Sequence, residues 1–168
     1  YPIESKILRR CVKESKCSGI DNTYIVFPYV YKDNKCIAIK ENVLQKKYPL
    51  AYQYLVANKE LLTKRDIDNN YLWYEYARTQ GLVHMNNKKV VFKHIMKRDE
   101  QLVTAFALDE DIVVYSGLYI TVTDENTLKQ VISIIQTKEF KRYCCLVGKD
   151  MANDYVSVNG KAVQAFQI

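Results

Sequence analysis

The residue types that most often catalyse reactions or bind metals are few in this chain of 168 residues. Its five Cys form no Cys-x-x-Cys pair, so they fit neither a zinc site nor a disulfide framework, and we expect reduced thiols in a cytoplasmic protein. The two His, His84 and His94, lack the spacing of a hydrolytic zinc site. The five Gly lie far apart, which excludes the glycine-rich loops that bind nucleotide phosphates. The sequence predicts no metal site and no catalytic residue, although a triad assembled in space stays open.

Positive charge is concentrated in the first hundred residues. Residues 1–100 contain 19 Lys and Arg against 11 Asp and Glu, whereas residues 101–168 contain 6 against 8. A basic surface attracts nucleic acid, because each phosphate that it neutralises releases condensed counterions. A solvated, lysine-rich surface has the same composition, so charge alone leaves both interpretations open.

Tyrosine is the other compositional feature, with 14 Tyr that cluster around Tyr29, Tyr52 and Tyr74. Cations interleaved with aromatic rings suit nucleic acid, since phosphates meet the cations and unstacked bases meet the rings. Most Tyr of a folded protein nevertheless pack in the core with one polar tip, and we expect this of the majority here. The residues alone therefore indicate a basic, tyrosine-rich module for which nucleic-acid binding is one candidate function.

The elements that must position these residues are strands, one early helix and a helical end. The pattern predicts a hairpin of strands 24–27 and 36–39 around Asp33-Asn34-Lys35, and a helix over 49–64 that begins at Pro49. Residues 71–78 are ambiguous between helix and strand. Strands are predicted over 89–96, 103–108 and 112–122, and the acidic run 109–111 reads as a loop.

The last third of the chain is predicted to be mainly helical. Asp124 and Thr137 are candidate N-caps of two helices, the second of which ends at Gly148, and residues 155–158 form a short extended piece. The fold class is therefore α+β, a small multi-stranded sheet with packed helices and a mostly helical C-terminal part.

Several strings, taken in chain order, resemble a single family. They are Val26-Phe27-Pro28-Tyr29, the run 48–55, the run 59–65, Trp73-Tyr74-Glu75-Tyr76-Ala77-Arg78, Lys89-Val90-Val91-Phe92, the runs 106–109 and 114–120, Phe140-Lys141-Arg142-Tyr143, and Gly148-Lys149 with Tyr155. Together they resemble the C-terminal target-recognition domain of TaqI-like adenine-specific DNA methyltransferases. The family often has Gly where Ala77 and residues 151–154 stand, which argues against close backbone approach to DNA there.

The resemblance implies a parent enzyme that methylates the N6 of a flipped adenine at a specific duplex site, using S-adenosylmethionine. The catalytic Asn/Asp-Pro-Pro-Tyr motif is absent, since the only Pro are at positions 2, 28 and 49. Cofactor binding and methyl transfer would therefore belong to the parent's catalytic domain, and this chain would not be an enzyme alone. Whether the parent of such a restriction-modification system also cleaves DNA stays open.

The resemblance therefore predicts a single recognition domain over residues 1–168, as part of a longer chain. The chain begins at Tyr1 without Met, and we expect residues 1–20 to connect it to the catalytic domain. The expected partners are double-stranded DNA and that catalytic domain, in the bacterial cytoplasm. No run of about 18 apolar residues is present, so no membrane is expected.

Carried over residue by residue, the resemblance implies a set of DNA contacts. These are Lys13, Ser15, Arg65, Tyr74, Arg78, Lys88, Lys89, Lys93, Tyr115, Ser116 and Lys149. Arg78 ends the Trp-Tyr-x-x-x-Arg string and would grip a phosphate or a guanine, with a structural ion pair as the alternative. The lysines would contact phosphates or simply be solvated, and Tyr74 and Tyr115 would touch DNA or pack.

Two other classes of function fit the same sequence. One is a protein-interaction or dimerisation module that binds no DNA. The other is a stand-alone enzyme or an RNA-binding module.

Overall fold

A computed structural model describes residues 1–13, 23–32, 35–66 and 70–167. Within them the chain forms six α-helices and eleven β-strands in several small sheets, which confirms the α+β class. The chain divides into two compact units. The first comprises Tyr1–Arg10 and Tyr24–His84, and the second Cys11–Thr23 and Met85–Ile168. The assignment of one recognition domain to residues 1–168 stays a prediction.

The first unit combines short strands with three helices. Its elements are β1 (Leu8–Lys13, whose last three residues belong to the second unit), β2 (Tyr24–Val26), β3 (Tyr29–Lys32), β4 (Lys35–Ala38), α1 (Glu41–Lys47), α2 (Pro49–Ala57) and α3 (Lys59–Thr63). β1 pairs with β2, and β3 pairs with β4, both antiparallel.

The predicted hairpin is present, but its first strand was placed wrongly. The hairpin is built from β3 and β4, while residues 24–26 pair with β1 instead. The chain leaves β2 at Phe27 and Pro28, both of which are buried. Pro28 has no N–H to donate, and its carbonyl accepts from the Ile39 N–H at 2.9 Å, so the chain starts a new pairing after it.

The predicted helix over 49–64 is two helices that meet at Asn58, whose backbone is not helical. The Asn58 amide donates to the Tyr54 carbonyl at 2.8 Å, a local bond that competes with helix continuation. The start at Pro49 is confirmed. The Glu4 carboxylate accepts from the Leu50 and Ala51 N–H groups at 2.9 Å each and so caps α2 from a distant part of the chain.

The core of the first unit is formed by side chains of α1 and α2 together with Ile7, which precedes β1, and Ile39, which follows β4. Its fully buried members are Ile7, Ile39, Leu44, Ala51, Leu55 and Tyr74. Residues 71–78 are neither helix nor strand but a series of turns and bends. These turns bring Trp73 and Tyr74 onto the core.

The second unit contains the larger sheet. Its elements are β5 (Lys88–Phe92), β6 (Ile95–Lys97), β7 (Ala105–Leu108), β8 (Ile112–Ser116), β9 (Leu118–Val122), α4 (Glu125–Ile135), α5 (Lys138–Val147), β10 (Lys149–Met151), β11 (Tyr155–Ser157) and α6 (Gly160–Gln164). β5 lies between β7 and β9, and β11 lies between β10 and β6.

Both faces of the central strand β5 are covered. Val90 and Phe92 face a cluster with Leu128, Ile135 and other residues of α4 and α5. The opposite face carries Val91, which packs with Val12, Leu108 and Ile112. A strand buried on both faces reads as a continuous apolar run, which is why residues 90–92 were recognisable as a strand.

Two long predicted strands are each broken in two. The run 89–96 turns at residues 93 and 94, and the run 112–122 turns at Gly117, whose φ of 120° favours glycine. The predicted caps are confirmed, since Asp124 accepts from the Thr127 N–H and Thr137 from the Phe140 N–H. The helix that Thr137 caps ends at Gly148 as expected.

In the part of the chain that the structure describes, no helix is both long and apolar enough to cross a membrane.

Candidate nucleic-acid interface

Net positive charge and tyrosine are concentrated in the first unit. It contains 12 Lys and Arg against 7 Asp and Glu, whereas the second unit contains 13 against 12. Ten of the 14 Tyr also belong to the first unit. The composition expected of a nucleic-acid surface therefore coincides with one compact unit.

Two of the five candidate lysines of the second unit are paired with neighbouring carboxylates, and a third is buried. Lys88 Nζ lies 2.9 Å from Glu125 Oε2, and Lys93 Nζ lies 2.6 Å from Glu100 Oε1. The hydrogen bond to Glu125 raises the pKa of Lys88 above its ordinary value. Such pairs would have to open before either ammonium met a phosphate, so they offer little net charge to DNA.

Lys89 is buried, with only 1% of its surface exposed. Its ammonium donates to the Asn87 carbonyl at 2.9 Å. Burial lowers the pKa of Lys89 to about 8, although Asp111 and Glu110 act in the opposite direction. In this structure the side chain belongs to the sheet and does not reach solvent.

The exposed cations of the first unit are largely free of carboxylates. Among the described residues, eight exposed cations of this unit form no ion pair and donate no side-chain hydrogen bond; they are Lys6, Lys32, Lys35, Lys40, Lys46, Lys47, Lys59 and Arg78, of which Lys59 lies over the Trp73 ring. Lys64, by contrast, pairs with Glu60 at 2.7 Å. Unpaired exposed cations keep their full charge for an incoming phosphate. Six described cations of the second unit are exposed and unpaired in the same sense, namely Lys13, Lys129, Lys138, Arg142, Lys149 and Lys161. The first unit has fewer carboxylates to offset its cations, 7 against 12, so its set is the stronger candidate for phosphate binding.

The segment that carries Arg78 is fastened to the β3–β4 hairpin on both sides of it. Before Arg78, the Tyr76 N–H donates to the Tyr29 hydroxyl at 2.6 Å. After Arg78, the hydroxyl of Tyr31 donates to the Leu82 carbonyl. Arg78 is therefore held beside the hairpin that carries two of the free lysines.

The guanidinium of Arg65 is used within the fold. Its Nε donates to the Leu62 carbonyl and its Nη2 to the Trp73 carbonyl, both at 2.9 Å. These bonds connect the end of α3 to the turn at Trp73. Arg65 therefore has a structural role within the first unit.

The remaining predicted contacts are scattered. Lys13, Tyr115 and Lys149 are exposed, Ser116 is half-buried, and Ser15 lies outside the described residues. The four described residues of this group belong to the second unit. Of the eleven predicted residues, the structure places Arg65, Tyr74 and Arg78 in the basic first unit, and only Arg78 is exposed there.

Tyr74 is a packing residue in this structure, with 2% of its surface exposed and its hydroxyl donating to the Ile39 carbonyl at 2.5 Å. Burial, helped by the carboxylates of Glu41 and Glu75, raises the pKa of Tyr74 to about 12.

We expect the Tyr74→Phe variant to lose about 1–2 kcal/mol of unfolding free energy, because a buried carbonyl loses its donor. Urea denaturation measures this loss. Tyr115→Phe, an exposed counterpart, should change stability by less than about 0.5 kcal/mol. Equal stability of Tyr74→Phe and the unaltered chain would show that the hydroxyl does not support the core.

Sequence reasoning missed the lysines of the hairpin and of α1. The excess of charge in residues 1–100 points toward them, but the resemblance places its candidate lysines at Lys13, at Lys88, Lys89 and Lys93, and at Lys149. The missing signal was the lack of a carboxylate partner, and partners are set by the fold. No sequence pattern distinguishes Lys46, which is free, from Lys93, which is paired.

Among the described residues, no three His, Cys, Asp or Glu side chains lie close enough to hold a metal ion. The four described Cys carry free thiols, and burial raises the pKa of Cys144 to about 11, which makes it an unreactive thiol.

A comparison of this chain with models of known protein families, and with curated proteins, finds no match.

Proposed function

We propose that this chain binds duplex DNA and that its first unit supplies the phosphate-binding surface. The observation that supports this proposal is the net charge of that unit, 12 Lys and Arg against 7 Asp and Glu, whereas the second unit is nearly neutral with 13 against 12. Electrostatic attraction of this kind provides sequence-independent affinity, on which base contacts then build specificity.

The finer form of the proposal follows the resemblance described above. The chain would be the target-recognition part of an S-adenosylmethionine-dependent N6-adenine DNA methyltransferase of a bacterial, cytoplasmic restriction-modification system. The parent's catalytic domain would bind the cofactor and the flipped adenine, and this chain would hold the surrounding duplex. Arg78 is the best candidate for a base or phosphate contact, since it is exposed, unpaired and fixed beside the hairpin.

The test is fluorescence anisotropy of the chain on a labelled duplex between about 50 and 300 mM salt. We expect a steep negative slope of log affinity against log salt, because several phosphate contacts would release counterions. Arg78→Ala should weaken binding about 5- to 150-fold, as expected for the loss of 1–3 kcal/mol at a base contact.

The matched control is Arg142→Ala, which removes an exposed arginine of the second unit. It should change affinity by less than about twofold. Absence of binding at the lowest salt would refute the proposal. Equal losses in the two arginine variants would show that Arg78 contributes only general charge.

A second candidate, a protein-interaction module, is favoured by apolar side chains on the helices of the first unit. Leu50 and Val56 of α2 and Leu61 of α3 are exposed, Leu61 to 67%. Exposed apolar residues of this size mark interaction surfaces when they are contiguous. Self-association that persists at high salt in analytical ultracentrifugation, without DNA binding, would favour this candidate.

A further inference from the structure

The β3–β4 hairpin presents an exposed face of unusual composition. In its register Val30 lies opposite Ile37, and Lys32 lies opposite Lys35. Residues two apart on a strand share a face, so these four side chains lie together on one side of the ribbon. Val30 and Ile37 are 48% and 45% exposed, and both lysines are exposed as well.

The opposite face of the hairpin is anchored to the rest of the first unit. Tyr29 is buried and accepts from the Tyr76 N–H, while Tyr31 donates to the Leu82 carbonyl. Burial raises the pKa values of both Tyr29 and Cys36 above their ordinary range. The ribbon is therefore supported from behind, and its other face is presented to solvent.

The exposed face has two features that are energetically unfavourable in water. Two like charges directly opposite each other on paired strands destabilise the pair, and two exposed β-branched side chains gain nothing from solvent. An anionic partner with an apolar element would offset both costs. Duplex DNA provides such a surface, with phosphates along the groove and thymine methyl groups on its floor.

We propose that the β3–β4 hairpin enters the major groove of duplex DNA with this face toward the bases. The groove, about 12 Å wide, admits a two-stranded β-ribbon. Lys32 and Lys35 would bind phosphates at the groove edge, and Val30 and Ile37 would contact thymine methyl groups. This inference rests on the proposed DNA binding and names the element that reads the duplex, which the resemblance did not indicate.

The first experiment removes both charges in a Lys32→Gln/Lys35→Gln variant. Loss of two phosphate contacts should reduce the magnitude of the log–log salt slope by about 2 and weaken binding at about 100 mM salt at least tenfold. The matched control, Lys138→Gln/Lys161→Gln, removes two exposed charges from helices of the second unit. It should change the slope by less than about 0.5. Circular dichroism verifies that both variants are folded.

The second experiment locates the contact directly. A photo-crosslinking amino acid replaces Ile37 in one variant and exposed Leu146 of α5 in another, each mixed with labelled duplex. We expect a crosslink to DNA from position 37 and none from position 146. A crosslink from position 37 to a second copy of this chain would overturn the proposal in favour of dimerisation through the hairpin.

The outcomes separate this inference from the function on which it rests. If the unaltered chain binds DNA while the Lys32→Gln/Lys35→Gln variant binds equally well with the same slope, the hairpin has no role and the proposed function stands. If the unaltered chain does not bind DNA at about 50 mM salt, both proposals are refuted.

Discussion

Replacement of Lys89 by Met is expected to raise the free energy of unfolding at pH 7 by about 1–3 kcal/mol. The ammonium of Lys89 is buried, with a single hydrogen bond to the Asn87 carbonyl among the described residues. Methionine fills a similar volume without a charge to desolvate. A gain in stability would indicate that Lys89 is a buried structural residue and not a phosphate-binding one.

The gain should depend on pH in a defined direction. Burial lowers the pKa of Lys89 to about 8, against an ordinary value of 10.5. Between these two values the unfolded chain holds a proton that the folded chain has released, so the unfolding free energy rises with pH across this window. The advantage of the Lys89→Met variant should therefore be full below about pH 8 and shrink toward pH 10.5.

The measurement is urea denaturation of the unaltered chain and the Lys89→Met variant at several pH values. The quantity compared is the difference between their unfolding free energies at each pH. The comparison matters because burial raises the pKa values of Tyr29 and Cys144, which makes stability fall in alkali in both proteins alike. Lys129→Met, at an exposed position of α4, is the control and should show no pH-dependent difference. A Lys89→Met variant that is less stable at every pH, or that binds DNA more weakly when folded, would contradict this assignment.

Replacement of Gly148 by Ala is expected to destabilise the second unit by about 1–3 kcal/mol, or to displace the strand that follows. A Cβ at this position would lie 2.4 Å from Val156 Cγ2 and 2.6 Å from the Cys144 carbonyl oxygen. The backbone oxygen cannot move without disturbing the end of α5. Glycine is thus needed where the chain passes from α5 close to β11.

Gly160 is the internal control, since a Cβ there would meet no atom within 4 Å. Gly160→Ala lies in the first turn of α6 and should be neutral or stabilising by up to about 1 kcal/mol. Thermal unfolding by circular dichroism compares the two variants. Equal stability of Gly148→Ala and Gly160→Ala would show that the close approach is not a constraint.

The Gly148 result also bears on the resemblance to target-recognition domains. The string Gly148-Lys149 is one of those that carry it, and the lack of glycine at residues 151–154 argues against a close approach of backbone to DNA beside it. The structure provides an internal reason for the glycine, its contact with β11. Lys149 itself is exposed and remains a candidate for a phosphate contact.

The sequence by itself determined the α+β class, both caps of the C-terminal helices and the strand character of residues 90–92. These features depend on local chemistry: Asp124 and Thr137 accept from N–H groups three residues away, and an apolar β-branched run suits a central strand. It also located the excess of positive charge in the N-terminal part of the chain. Each of these features depends on residues that are close together in the sequence.

Only the tertiary structure decided which cations are available and which strands pair. Lys88 meets Glu125 across 37 residues, and Tyr31 meets the Leu82 carbonyl across 51. Pairings over such separations depend on how the elements pack, and no local pattern records them. The same packing buries Lys89, commits Arg65 to backbone carbonyls and leaves Lys32, Lys35 and Arg78 exposed. The sequence shows that a lysine carries a charge, but it does not show which carboxylate the lysine pairs with. Ion pairs form between groups that folding brings within a few ångströms of each other.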